Sequence, residues 1–207
     1  MRKFQNKYRI ESARLKHWDY ANPGLYFVTI CSKNIVSWFG DIRNDKMQLV
    51  EIGKIVQEIW CKIPSHFENV ELDEFIIMPN HIHGIIEIKY NTRRDAINRV
   101  STSVTDKNKT INRVSTTGGI TGKNNPMISK NSLSKIIRCY KGRCTYEIHK
   151  FNPKFAWQPR FYDHVIRNEL SLEKIQNYIQ QNPINWKKDQ NIQDEDKQFF
   201  KNSIKGK

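Results

Sequence analysis

The sequence predicts an α+β domain in which a split β-α-β pattern is written twice over one antiparallel sheet. Three observations carry that prediction. β-rich runs at Leu25 to Cys31, Val70 to Met78 and His81 to Ile88 are interleaved with two apolar stripes of helical period, one after Val50 and one after Ser132. A further alternating run from Phe155 to Arg167 follows the second stripe, and a last helical pattern begins after Asn168. At 207 residues the chain suits one domain with an ample core, residues 1–207, or one domain carrying an insertion.

Residues 1–20 mix basic and aromatic side chains without a clear period, Arg14 and Lys16 among them. They read as an arm able to lie along phosphates and stack on bases, or as a solvated tail. Asn22-Pro23-Gly24 makes a turn, and the β-branched and aromatic run Leu25 to Cys31 suits a central strand. Ile35 to Phe39, closed by Gly40, is expected to form a short hairpin with the segment near Met47. Ile52, Ile55, Val56, Ile59, Trp60 and Ile63 then fall at helical spacing, and Pro64 is expected to end that helix.

Val70 to Met78 is the next strand, Pro79-Asn80 the turn, and the strand from His81 its antiparallel partner. Between about residues 90 and 130, Asn, Thr, Ser, Lys and Gly dominate, and Ile97 to Thr102 recurs word for word as Ile111 to Thr116. Two copies with so few apolar residues cannot build a repeat fold, so the stretch reads as a flexible insertion. Leu133, Ile136, Ile137 and Tyr140 form the second stripe, with Lys135 and Arg138 on other faces toward phosphates or plain solvent. Phe155 to Arg167 is expected to be one strand, with Pro159 at an edge or bulge and Gln158, Arg160, Tyr162 and His164 on its polar face. Asn168 caps the last helix, whose buried stripe is Leu172, Ile175 and Ile179. Tyr178 and Asn182 share its flank, and Pro183 is expected to stop it. The charged tail 187–207 shows little reason to fold.

Lys and Arg outnumber Asp and Glu by 35 to 21, a formal net charge of +14, and 11% of the residues are aromatic. Such a surface attracts polyanions, and nucleic acid is the partner expected. No apolar run is long enough to span a bilayer, and the amino terminus lacks the apolar segment of a secretory signal. The expected location is therefore the cytoplasm, at the nucleoid, with no membrane partner. Cys31, Cys61, Cys139 and Cys144 form no Cys-x-x-Cys pair, which speaks against a zinc knuckle or redox motif. They are expected to be reduced, mostly buried thiols.

The chemistry concentrates at His81-Ile82-His83. Strand alternation throws both imidazoles onto one face and Ile82, Ile86 and Ile88 onto the other. Each histidine is either a partly buried strand residue or half of a pair gripping one divalent cation, a shell left open for water or a substrate oxygen. In the predicted topology, called ferredoxin-like or RRM-like, two helices cover the apolar face and the last helix crosses the other. That crossing brings a tyrosine and an amide over the imidazole pair. A cation held by two neutral imidazoles and one oxygen ligand offsets charge on a scissile phosphate, and a tyrosine attacking in line keeps the cleaved phosphate as a covalent ester.

The segments Pro23-Gly24-Leu-Tyr-Phe-Val-Thr-Ile, Met78-Pro-Asn-His-Ile-His-Gly-Ile-Ile86, Trp157-Gln-Pro-Arg-Phe-Tyr-Asp-His164 and Tyr178-Ile-Gln-Gln-Asn-Pro183 resemble, in that order, the REP-associated tyrosine transposases, a branch of the HUH single-strand (IS200-like) transposases. The resemblance spans roughly residues 15–187. It implies an enzyme that uses Mg²⁺ or Mn²⁺ to nick and rejoin single-stranded DNA near hairpins through a 5′-phosphotyrosine link, as a monomer or homodimer. It implies His81, His83 and Asn182 as metal ligands and Tyr178 as nucleophile, with Tyr162 the competing phenol. Asn182 stands where some relatives have Gln, and the insertion is a second departure. Arg14, Lys16, Lys135, Arg138, Arg160 and His164 are candidate DNA contacts. The rival readings are a rolling-circle replication initiator, a non-catalytic binder of structured single strands, and a hydrolytic metal phosphoesterase, which needs more carboxylate or histidine ligands than this stretch offers.

Overall fold

The computed structural model describes residues 18–90 and 132–189, preceded by two short paired strands, β1 (Lys3–Phe4) and β2 (Lys7–Tyr8). Arg14, Lys16, the repeat-bearing stretch and the tail beyond residue 189 lie outside the described residues. Strand β3 (Gly24–Cys31) is followed by a small hairpin of β4 (Gly40–Arg43) and β5 (Lys46–Leu49), then α1 (Glu51–Cys61) and the single turn α2 (Ile63–His66). Next come β6 (Val70–Ile77), β7 (His81–Ile88), α3 (Leu133–His149), β8 (Tyr162–Ile166) and α4 (Glu169–Asp189).

The main sheet runs β6-β7-β3-β8 with every neighbouring pair antiparallel. The link from β3 through α1 to β6 jumps over β7, and the link from β7 through α3 to β8 jumps over β3. Helices and an antiparallel sheet make this the α+β architecture that the alternating periods predict.

Alternation sorts the two faces of the sheet. Tyr26, Val28 and Ile30 of β3 and Ile82 and Ile86 of β7 point to one, where the stripes of α1 (Ile52, Val56, Ile59, Trp60) and α3 (Ile136, Ile137, Tyr140, Ile148) close over them. Each such side chain, fully buried, contributes roughly 1.5–3 kcal/mol, so this layer carries most of the stability. Trp60 reaches the sheet only because residue 84 is glycine: a Cβ there would lie 2.4 Å from Trp60 Cζ2. The other face holds a smaller cluster, with Phe27, Ile85 and Ile166 under Ile175 and Ile179 of α4. The last helix thus lies on the face that bears the histidines.

The elements differ from the sequence reading in four places. The hairpin forms from Gly40–Arg43 and Lys46–Leu49 rather than from Ile35 to Phe39, because Phe39 is fully buried against Phe155 and Trp157. Pro64 does not simply end α1; it sits in the first turn of α2, where a missing N–H costs nothing. The last strand begins only at Tyr162, since Pro159 offers no ladder donor and Arg160 adopts a left-handed φ of 67°, so residues 155–161 form a loop pinned by the Ser32–Trp157 bridge. Finally, α4 continues past Pro183 to Asp189, because the turn beyond the proline buries Trp186 to 8% exposure. Of the cysteines, Cys144 is buried but Cys61 is exposed and Cys31 and Cys139 are half-buried, so the thiols are less enclosed than expected. Among the described residues no helix is long and apolar enough to cross a membrane.

Candidate active site

Strand β7 presents His81 and His83 on the α4 side, and register places them beside β3: Cys31 pairs with His81 and Thr29 with His83. The two Nε2 atoms lie 3.0 Å apart. From above, Tyr178 of α4 brings its hydroxyl to 3.3 Å from His83 Nε2, with ring centroids 5.2 Å apart. Phe27 stacks on the His83 ring at 5.4 Å and meets Tyr178 edge-on at 6.2 Å, so the three rings form a triangle. The imidazole and phenol are therefore wedged by one aromatic from the small core.

Each imidazole is also held through its other nitrogen. Asn80 Nδ2 donates to the Ile35 carbonyl at 3.2 Å, which turns Asn80 Oδ1 toward His81 Nδ1 at 2.7 Å. His81 Nδ1–H must then be the donor, leaving a lone pair on its Nε2. His83 Nδ1 stands 2.9 Å from Thr29 Oγ1, a hydroxyl that accepts or donates as the tautomer requires. With the proton on Nδ1, both Nε2 lone pairs face one point. Orienting partners of this kind are what fix the tautomer of metal-binding histidines. The sequence reading missed both, although a Thr inside an apolar strand and an Asn directly before His81 were the available signals. Ile35, a β-branched residue at φ 56°, belongs to the same chain of contacts; its conformation costs about 1–2 kcal/mol and delivers the carbonyl that orients Asn80.

Burial keeps both rings neutral. Desolvation pushes His81 down to about 4, and it pushes His83 well below the usual histidine range with help from neighbouring His81. Neutral imidazoles are the form that binds metals.

Helix α4 lays a flank of three residues at intervals of one turn across the pair. Tyr178 contacts His83, and Trp186, two turns on, sets its ring 5.9 Å from that of His81. Asn182 lies between them, is 2% exposed, and leaves its Oδ1 buried without a hydrogen-bond partner. An orphaned amide oxygen and two facing lone pairs are a donor set suited to one hard or borderline cation. Two ligands at right angles, each about 2.1 Å from an ion, stand about 3.0 Å apart, which is the Nε2 separation found here. The residues therefore fit a divalent metal. Among the described residues no group of three His, Cys, Asp or Glu gathers anywhere, so such a shell rests on two imidazoles and the amide.

The helix is tied down on its other edge. A bulge in β6 between Leu72 and Phe75 turns Asp73 and Glu74 toward α4, where Gln176 Nε2 donates to both Asp73 oxygens at 2.9 and 3.1 Å and Gln180 Nε2 to Glu74 Oε1 at 3.1 Å. At its start, Asn168 Oδ1 accepts from Ser171 N at 2.8 Å, the cap that the sequence predicts.

The remaining candidates fall elsewhere. Tyr162 pairs with Thr29, so a whole strand separates it from His83, and burial with nearby Asp163 drives its phenol well above the usual tyrosine range. His164 pairs with Phe27 and is lowered by burial and by Arg167; it shares the face but not the imidazole couple. Lys135 sits in the first turn of α3, which Ser132 caps. Arg138 and Arg160 come together across a groove between α3 and the loop before β8.

No model of a known protein family matches the chain. An uncharacterised protein of Haemophilus influenzae is 39% identical over 183 residues, covering 86% of this chain and 91% of that protein. The solved structure of a REP-associated tyrosine transposase bound to a REP hairpin is similar over 84% of this chain and 73% of that one, with a TM-score of 0.52 and 16% identity. At that identity the likeness is one of fold. The chain belongs to one family with the Haemophilus influenzae protein, and its fold is that of the REP-associated tyrosine transposase.

Proposed function

We propose that this protein is an HUH-type tyrosine transposase, built on a ferredoxin-like sheet, that nicks and rejoins single-stranded DNA beside hairpins. The observation that carries the reading is the convergence of a phenol from α4 and two imidazoles from β7, Tyr178 Oη at 3.3 Å from His83 Nε2 and His83 Nε2 at 3.0 Å from His81 Nε2. His81, His83 and Asn182 would hold Mg²⁺ or Mn²⁺, which when bound supplies charge neutralisation at the phosphate and favours the phenolate.

Tyr178 is the nucleophile. Its oxygen forms a bond to phosphorus as the phenolic proton is lost, the P–O3′ bond breaks, and the departing 3′ oxygen takes up a proton. The 5′ phosphate stays on Tyr178 as an ester, so a free 3′-hydroxyl reverses the step without an external energy source. Phe27 and the two glutamine clamps keep the ring in line, and Trp186 shields His81 from solvent. The hairpin as partner rests on the fold relative, whose structure is that of a complex with one.

The experiment is a labelled hairpin oligonucleotide with a single-stranded flank, incubated with Mg²⁺ or Mn²⁺ and resolved under denaturing conditions. The wild-type chain and Tyr162→Phe form a protein–DNA adduct; Tyr178→Phe forms none while still binding the hairpin. An adduct that survives Tyr178→Phe assigns the chemistry to another residue, and hairpin binding with no adduct from the wild type supports the non-catalytic binder instead.

A further inference from the structure

A groove of about 520 Å³ runs between α3 and the loop 158–161, beside the helix that covers the face opposite the imidazole pair but at the same end of the sheet, where Gln158 N donates to the Cys31 carbonyl and Cys31 pairs with His81. Its two walls each contribute a guanidinium, Arg138 from the helix and Arg160 from the loop. Lys141, the third cation there, is committed to building the wall: its ammonium donates to the carbonyls of Gln158 at 2.6 Å and Arg160 at 2.8 Å and lies over the Trp157 ring. That anchoring holds Arg160 at its left-handed φ of 67°, a conformation that non-glycine residues rarely adopt and that marks sites where backbone is shaped for a purpose.

Gly142 is the second, independent observation. It stands inside α3, where glycine is a poor choice, yet a Cβ at this position would meet nothing within 4 Å. Packing does not require the glycine. A side chain here would project into open space at the groove. One turn further along the helix, outside the groove, Tyr146 is 69% exposed with the Lys150 ammonium over its ring at 4.9 Å.

We propose that this groove binds the phosphodiester backbone of single-stranded DNA, with Arg138 and Arg160 on phosphate oxygens. Arg160 lies two residues before Tyr162, which pairs with Thr29, which pairs in turn with His83. The bound segment is therefore the strand that leads around the β8 edge to the phosphate under attack, an assignment that rests on the transposase reading above.

The test uses the full chain carrying Tyr178→Phe, so that no covalent step intervenes, and a fluorescent oligothymidylate without a hairpin. Gly142→Glu places a carboxylate in open space on a residue better suited to a helix, so folding is kept while the groove turns repulsive. Its affinity falls about 10-fold at low salt, and the slope of log affinity against log salt shrinks by about one or two phosphate contacts. Gly142→Ala leaves both unchanged, and the pair Arg138→Gln with Arg160→Gln reproduces the loss. Equal affinity and slope for Gly142→Glu and Gly142→Ala overturn the proposal. Adduct formation by the wild type is scored separately on hairpin DNA. Weakened oligothymidylate binding with no wild-type adduct keeps the groove and removes the catalyst, whereas an adduct with unweakened binding does the reverse.

Discussion

Replacing Asn182 by Leu separates a metal ligand from a structural amide. Asn182 is 2% exposed and its Oδ1 has no hydrogen-bond partner, a state that costs about 1–3 kcal/mol in the metal-free protein. Leu fills a similar volume, removes that cost and is the better helix former by a few tenths of a kcal/mol; losing the amide nitrogen returns up to about 1 kcal/mol. The balance is a gain of about 1–2 kcal/mol in chelator, which for a chain of this size raises Tm by about 3–6 °C. Divalent metal inverts the order. At a Mn²⁺ concentration 100 times its dissociation constant, the wild type gains about 2.7 kcal/mol, or about 8 °C. Residues that only orient ligands are worth 10- to 100-fold in affinity, so removing a ligand costs at least about 100-fold and leaves the variant with about 0.4 kcal/mol at the same concentration. The assay is thermal unfolding in EDTA and in Mn²⁺, and the signature is a crossing. A variant that is less stable than wild type in EDTA and keeps the full Mn²⁺ shift makes Asn182 a packing residue and refutes the reasoning.

Three further outcomes follow from the same geometry. His81 is pushed down to about 4 and His83 well below its usual range, so the unfolded chain binds protons that the native one refuses. The stability these groups lend is whole above pH 6.5 and fades as pH falls toward 4, on the order of 2–3 kcal/mol for His81; a urea midpoint in chelator that is flat between pH 6.5 and 4.5 contradicts this. Gly84→Ala places a Cβ 2.4 Å from Trp60 Cζ2 and destabilises by about 1–3 kcal/mol in urea melts without weakening Mn²⁺ affinity, because the strain falls on the face opposite the histidines. Gln176→Ala removes both bonds to Asp73 and slows adduct formation several-fold at saturating DNA, with faster amide exchange in α4; unchanged exchange and rate together show that the clamp positions nothing.

Periodicity made most of this legible in the sequence. The run Leu25 to Cys31, the stripe Ile52 to Ile63 and the same-face placement of His81 and His83 follow from periods of two and 3.6, which sterics enforce whatever surrounds them. The pairing of Tyr178 with Asn182 is equally local. What stayed hidden depends on contacts between distant segments. Pro183 reads as a stop because its cost of roughly 3 kcal/mol is local, whereas the packing of Trp186 over His81 that offsets it is visible only in three dimensions. The strand begins only at Tyr162 for the same reason, since the loop before it is shaped by Lys141, 17 to 19 residues earlier on another element. Thr29 and Asn80 acquire their roles only through register and through a strained loop at Ile35. Short-range rules named the imidazoles, the phenol and the amide, and long-range packing chose the groups that aim them.

The two faces of the sheet carry different burdens, and the division explains why the costly features cluster. The α1 and α3 side is a predominantly apolar core, in which Gly84 lets Trp60 approach the sheet and Gly53 lets α1 approach the Phe39 carbonyl, although Trp60 Nε1 is buried there without a partner. The α4 side gathers the groups of the candidate site: buried His83 and half-buried His81 kept neutral, an amide oxygen without a partner and a proline inside the helix. Its own apolar cluster is small, with Ile175 and Ile179 seated on three strand residues, and it needs the glutamine clamps at the bulge of β6 to hold the helix. A face selected for stability alone would replace the orphaned amide and the facing lone pairs with aliphatic side chains. Their retention at one point, beneath a phenol, is intelligible if a charged substrate and a cation supply there the interactions that the protein leaves unmade.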